Sequence, residues 1–165
     1  MKIRTLDRHA YHVTHEGEKA AGSLLYHQPD FSRATLFCSQ NYQMQQTGIG
    51  RWVTCKADMM EEEAVCMIEL NGTFQISLGR DRYTFVKPVS WKPRFYLLNE
   101  QQEELAALIP FLNWPRQCHE FSLQLNEDFA LETKSFLILH MLHCAICGVA
   151  MINGEITATV GLLKG

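Results

Sequence analysis

The sequence predicts a mainly β protein, α+β by element count: an antiparallel β-barrel or strongly curved sheet wrapped around a buried hydrophobic helix near the C-terminus. Three observations carry that expectation. Short runs of alternating apolar and polar residues recur from Ala34 to Asn126, separated by turn-like pairs. The segment SFLILHMLHCAICGVAMI, Ser135 to Ile152, then runs without a charge or a proline, and as a helix it is apolar nearly all round. A succession of half-buried strands needs an apolar filling, and this segment is one.

The bulk numbers fit that picture and narrow the function. A chain of 165 residues, 47% hydrophobic and 20% charged, fits one domain spanning 1–165 with a real core. A net charge of −3 and a pI near 6.1 argue against nucleic acid as a partner, and only a local basic patch can attract an anionic membrane. The six cysteines (38, 55, 66, 118, 144 and 147) are spread through a chain too large to need staples, and the first residues are polar. Free thiols in a cytoplasmic protein are the expectation.

Taken in order, residues 1–33 read as a polar N-terminal segment. His9, His12 and His15 recur every third residue, which on a helix aligns them like metal ligands; Tyr11 and Val13 between them fit an extended segment at least as well. Antiparallel strands are expected over 34–126. ATLFCS, YQMQQTG and RWVTCKA lead into EAVCMIEL-NG-TFQISL, where Asn71-Gly72 suits a two-residue type I′ turn. Gly79-Arg80-Asp81 turns into RYTFVKPV, and RFYLLN follows two prolines that confine pairing to strand ends or edges. At about 100–112 a helix is expected, with Asn99 as cap, Leu105, Leu108, Ile109 and Leu112 on one face, and an uncertain end at Pro110. HEFSLQLN returns to alternation, a central apolar helix is placed at 133–152 with Asp128 or Thr133 as cap, and ITATVGLL gives a C-terminal strand at 155–163.

The apolar stretch also has the composition of a membrane span, so a membrane-tethered protein held through residues 135–152 is one alternative. Two central histidines and weakly anchoring flanks count against it. Successive hairpins followed by a late, all-round apolar helix resemble the tubby C-terminal-like superfamily, which includes the LURP-one-related and phospholipid-scramblase-like proteins. The likeness covers roughly residues 34–152 and lies in element order and hydrophobic pattern, without a short motif; the strand-like residues after the helix depart from it. It implies a closed barrel around the helix and recognition of lipid surfaces.

Two constellations bear chemistry. Arg80, Arg82, Lys87, Lys92 and Arg94 cluster in sequence beside Tyr83, Trp91 and Tyr96, and would form a basic, aromatic-flanked patch if their strands adjoin. His140, His143, Cys144 and Cys147 form HMLHCAIC, whose residue types bind zinc or copper and whose CxxC spacing is that of thiol-redox motifs. The plainer reading makes them small hydrophobes and hydrogen-bonded core histidines. Cys118-His119 offers a Cys–His pair, but no GxSxG, P-loop, GxGxxG or HExxH motif is present. The resulting expectation is a cytoplasmic, non-enzymatic binding or scaffold domain without a cofactor, peripheral to a membrane where the resemblance holds. Its ligand is an anionic lipid head group or phosphorylated molecule, a protein partner remains open, and metal-binding or redox work through HMLHCAIC is the alternative.

Overall fold

The computed structural model describes residues 2–7, 9–14, 20–91, 93–126, 129 and 135–153. Twelve strands run β1 (Lys2–Asp7), β2 (Ala10–Thr14), β3 (Ala20–Tyr26), β4 (Arg33–Phe37), β5 (Asn41–Gly48), β6 (Arg51–Lys56), β7 (Glu62–Ile68), β8 (Phe74–Leu78), β9 (Asp81–Val86), β10 (Phe95–Leu98), β11 (Glu104–Asn113) and β12 (Cys118–Leu125). Each pairs antiparallel with its neighbour in sequence, and β1 closes the ring against β12, with Ile3 opposite Phe121. Among the described residues one helix, α1 (Ser135–Ile152), is present, and it fills the barrel.

Alternation builds the wall. Leu24 and Tyr26, Leu36, Met44, Trp52, Cys66, Ile76, Phe85, Leu97 and Phe121 are buried, while their sequence neighbours are mostly less so. Twelve strands at ~4.8 Å spacing and ~40° tilt give a backbone diameter of roughly 24 Å. Inward side chains take about 5 Å from each wall, leaving a bore of about 14 Å, and an α-helix with its side chains is about 10–12 Å across. A barrel of this size therefore needs a filling, and α1 supplies it: buried residues from Leu137 to Cys147 are continuous rather than striped. The helix has the length and composition to cross a membrane, but 72% of it is buried here, so its apolar surface is already covered.

Several expectations change. Residues 104–113 are a ten-residue strand, not a helix. Leu108 pairs with Leu123 and Pro110 with Phe121, so the ladder to β12 overrides a locally helical pattern. Pro110 lies beyond Leu108, the last partner of β10, where a missing N–H is tolerated as on an edge. Asn99 does cap, but it caps a turn: Glu103 N–H donates to Asn99 Oδ1 at 2.8 Å, and Gln102 takes φ 63°. The polar segment 1–33 contains three strands whose inward residues, Ile3, Tyr11, Val13 and Leu24, are diluted by polar outward neighbours. The turn at Asn71-Gly72 is a three-residue loop rather than type I′: Glu69 N–H donates to Thr73 O, and of the central residues only Gly72 has positive φ, 80°. The expected caps Asp128 and Thr133 and the strand at 155–163 lie outside the described residues.

A meander fixes which turns share an end. The odd-to-even connections (β1–β2, β3–β4 and so on to β11–β12) lie at one rim, and the even-to-odd ones at the other. The helix begins at the even-to-odd rim, where Phe136 packs 4.3 Å from Tyr42, and ends at the odd-to-even rim, where Met151 and Ile152 meet Asn71 and Gly72. These are called the proximal and distal rims below.

Candidate functional site

Inside the barrel the histidines and cysteines of α1 meet wall residues. His140 Nε2 lies 2.8 Å from Thr54 Oγ1 and its Nδ1 2.7 Å from the Phe136 carbonyl. His143 Nδ1 lies 2.7 Å from the Tyr26 hydroxyl, with its ring edge-on to Trp52 at 4.8 Å. Burial holds the His140 pKa down to about 4 and that of His143 to about 3, so both rings are neutral at pH 7. Burial also pushes the Cys144 and Cys147 thiols well up, as it does the Tyr26 phenol. Thiols held protonated in an apolar interior are poor nucleophiles. Among the described residues no three His, Cys, Asp or Glu side chains converge as a metal set: His140 and His143 turn to Thr54 and Tyr26 instead of to each other.

The basic cluster divides. Arg82 sits opposite Ser77 beside the proximal β8–β9 turn that holds Arg80. Lys87 and Arg94 flank the distal β9–β10 connection, about 16 Å from Arg82 along an extended strand. Lys92 lies outside the described residues. Arg94 is held over the Tyr96 ring at 5.1 Å and donates to Gln124 Oε1 at 3.0 Å.

The distal rim is distinguished by what stands on its turns. Ile49, Leu70, Val89, Trp91, Trp114 and Ile152 all project there, with Trp91 88% and Trp114 77% exposed. The proximal rim shows only Phe37, Met59 and Met60 among the exposed large apolar side chains described. Charge is divided as well. Among the described side chains Arg33, Arg51, Lys87, Arg94 and Arg116 belong to the distal half, against Asp30, Glu69 and Glu120, and Arg51 is ion-paired with Glu62 at 3.6 Å. Asp58, Glu61, Glu62, Glu63, Asp81, Glu100, Glu103 and Glu104 lie proximally, where they outnumber Lys2, Lys56, Arg80 and Arg82.

A cavity of about 650 Å³ also opens at the distal rim. Its floor is the last turns of α1 (Ile146, Val149, Ala150), its walls Tyr11, Phe31 and Phe121, and its polar side His9, Gln117, Cys118 and His119. No family model, curated protein or solved structure matches this chain. Its site is therefore read from its own residues.

Sequence reasoning singled out Lys87, Arg94 and Trp91, and all three are distal. It missed Trp114, whose signal is a tryptophan next to Pro115 in a hairpin turn where burial is not available. It also missed Phe31, an aromatic between two turn formers, Asp30 and Ser32. Cys118 and His119 do share the cavity lining, though adjacent strand positions point to opposite faces.

Proposed function

We propose that this protein is a non-enzymatic binding domain that docks its distal rim on an anionic membrane surface. One observation carries the reading: the exposed tryptophan and aliphatic tips stand on the half where cations outnumber carboxylates among the described side chains, while carboxylates predominate in the opposite half. Apolar tips on separate turns can each insert between head groups, and Trp with Lys and Arg is the composition of the membrane interface. Cations near an anionic leaflet contribute about 1 kcal/mol each, and the proximal acids orient the molecule by facing away. A barrel enclosing an apolar helix is also what the tubby C-terminal-like resemblance implies, and we take up that resemblance together with a cytoplasmic, membrane-peripheral location.

Vesicle co-sedimentation tests the reading. The protein should pellet with phosphatidylcholine vesicles containing phosphatidylserine, less with phosphatidylcholine alone, and less as salt rises. Replacing Trp91 and Trp114 by Glu, or Lys87 by Glu, should release it, whereas charge reversal at Arg80 and Arg82 should not. Indifference of the wild-type protein to anionic vesicles at low salt sinks the proposal. Release by the Arg80 and Arg82 changes would move the surface to the proximal rim.

A further inference from the structure

The distal cavity has its own chemistry, separate from the rim around it. At about 650 Å³ it lies within the ~300–1,000 Å³ that small-molecule sites occupy. Ile146, Val149 and Ala150 present an apolar floor, Phe31 and Phe121 apolar walls, and the polar side is made by Gln117 and His119 of the β11–β12 hairpin with His9 of the neighbouring β1–β2 turn. No Asp, Glu, Lys or Arg is among the described lining residues. The helix also ends here. Asn153 N–H donates to the Val149 carbonyl, and Val149 and Ala150 of the last turn line the cavity. The negative end of the helix dipole therefore lies near the ligand space and disfavours an anion.

Two lining residues hold costly backbone. Phe31 has φ 60° and Gln117 φ 50°, in a region that bulky side chains rarely enter. Phe31 is fixed there from both sides: Trp52 Nε1–H donates to its carbonyl at 3.1 Å, and its ring meets Tyr26 at 4.8 Å. The wall is thus over-determined rather than slack.

We infer that this cavity binds an uncharged single-chain amphiphile, with its tail along α1 between Phe31 and Phe121 and its hydroxyl or carbonyl head beside Gln117 and His119. Among the described residues the lining has no Lys or Arg to pair with a carboxylate or phosphate head, and the helix terminus disfavours an anion, so this ligand differs from the anionic surface proposed for the rim. The inference does not rest on membrane docking.

The test uses the full chain in lipid-free buffer with the neutral probe N-phenyl-1-naphthylamine. Its fluorescence should rise on binding and fall when monodecanoylglycerol competes, with decanoate competing about two- to fivefold more weakly, the scale a helix terminus sets. Val149→Trp fills the floor and should weaken probe binding about tenfold, equivalent to about 1.4 kcal/mol. Leu112→Trp, at a partly exposed lining position, does the same without touching the core and decides the matter if the first variant misfolds. The variant with Trp91 and Trp114 replaced by Glu should bind the probe normally, which separates this site from the rim. No probe binding by the wild-type chain, undiminished binding in the filled variants, or decanoate competing as well as the glyceride overturns the inference.

Discussion

His140 shows how a single side chain is held neutral by its neighbours. The Phe136 carbonyl can only accept, so Nδ1 carries the ring proton and Nε2 accepts from the Thr54 hydroxyl. Thr54→Val keeps the shape and removes the donor, leaving a buried nitrogen without a partner; it should cost about 1–3 kcal/mol in chemical denaturation. A loss under about 0.5 kcal/mol would mean that the pair is not formed. Both α1 histidines also set a pH dependence. Their folded pKa values, about 4 and about 3, lie below the unfolded value near 6.5, so the unfolded chain binds more protons as pH falls. Their contribution is complete above about pH 6.5 and declines through pH 4 and 3, with a slope approaching ~2.7 kcal/mol per pH unit where both protonate only on unfolding. Denaturation midpoints between pH 7 and pH 4 check this, and replacing both histidines with Leu should flatten the curve.

At the scale of elements, close approach between helix and wall governs substitutions that propensity alone would favour. Gly148 sits in α1, where Ala is better by about 1 kcal/mol. A Cβ there would stand 3.0 Å from the Phe95 ring, which is stacked on Phe85 at 5.3 Å and 8° and would have to give up that stacking to move. Overpacking of this kind costs about 1–3 kcal/mol, so Gly148→Ala should lower stability by about 1 kcal/mol net, measured as a shift in melting midpoint. A more stable variant would show that the ring yields. The same conflict of local and long-range terms explains what could be read beforehand. That Cys66 and Ile68 share a face with Phe74 and Ile76 was legible because the hairpin closes within its own stretch of sequence, but its register was not: the third loop residue shifts the pairing by one and leaves Leu70, expected on that face, exposed. Residues 104–113 were not legible, because Leu105, Leu108, Ile109 and Leu112 satisfy a helical period, and only the ladders to β10 and β12 decide between the periods. Nor was the division of Arg80 and Arg82 from Lys87 and Arg94 legible, since strand direction along β9 is a fact of topology rather than of composition.

For the whole molecule, the helix and the ring of strands are each incomplete alone. The ring turns Leu24, Leu36, Trp52, Phe85 and Phe121 toward a bore too wide for side chains to close, and α1 buries apolar residues on every side. A chain ending at Asn126 would keep every described strand and lose the filling. Cavity formation at even a few of these contacts, at about 2–5 kcal/mol for each large side chain left unsupported, exceeds the ~5–15 kcal/mol that hold a domain of this size. Such a chain should therefore lack a cooperative melting transition and a near-ultraviolet circular dichroism signal, while keeping much of its far-ultraviolet β signal and binding hydrophobic dyes. A single substitution at the rim makes the contrast: Leu70→Ala, at a side chain 76% exposed, should change stability by no more than about 0.5 kcal/mol. If the shortened chain melted cooperatively with native-like aromatic signals, the strands would have found another way to close. The helix would then be a lodger in the barrel rather than its core, and the cavity at its C-terminal end would lose the rigid floor on which selective binding depends.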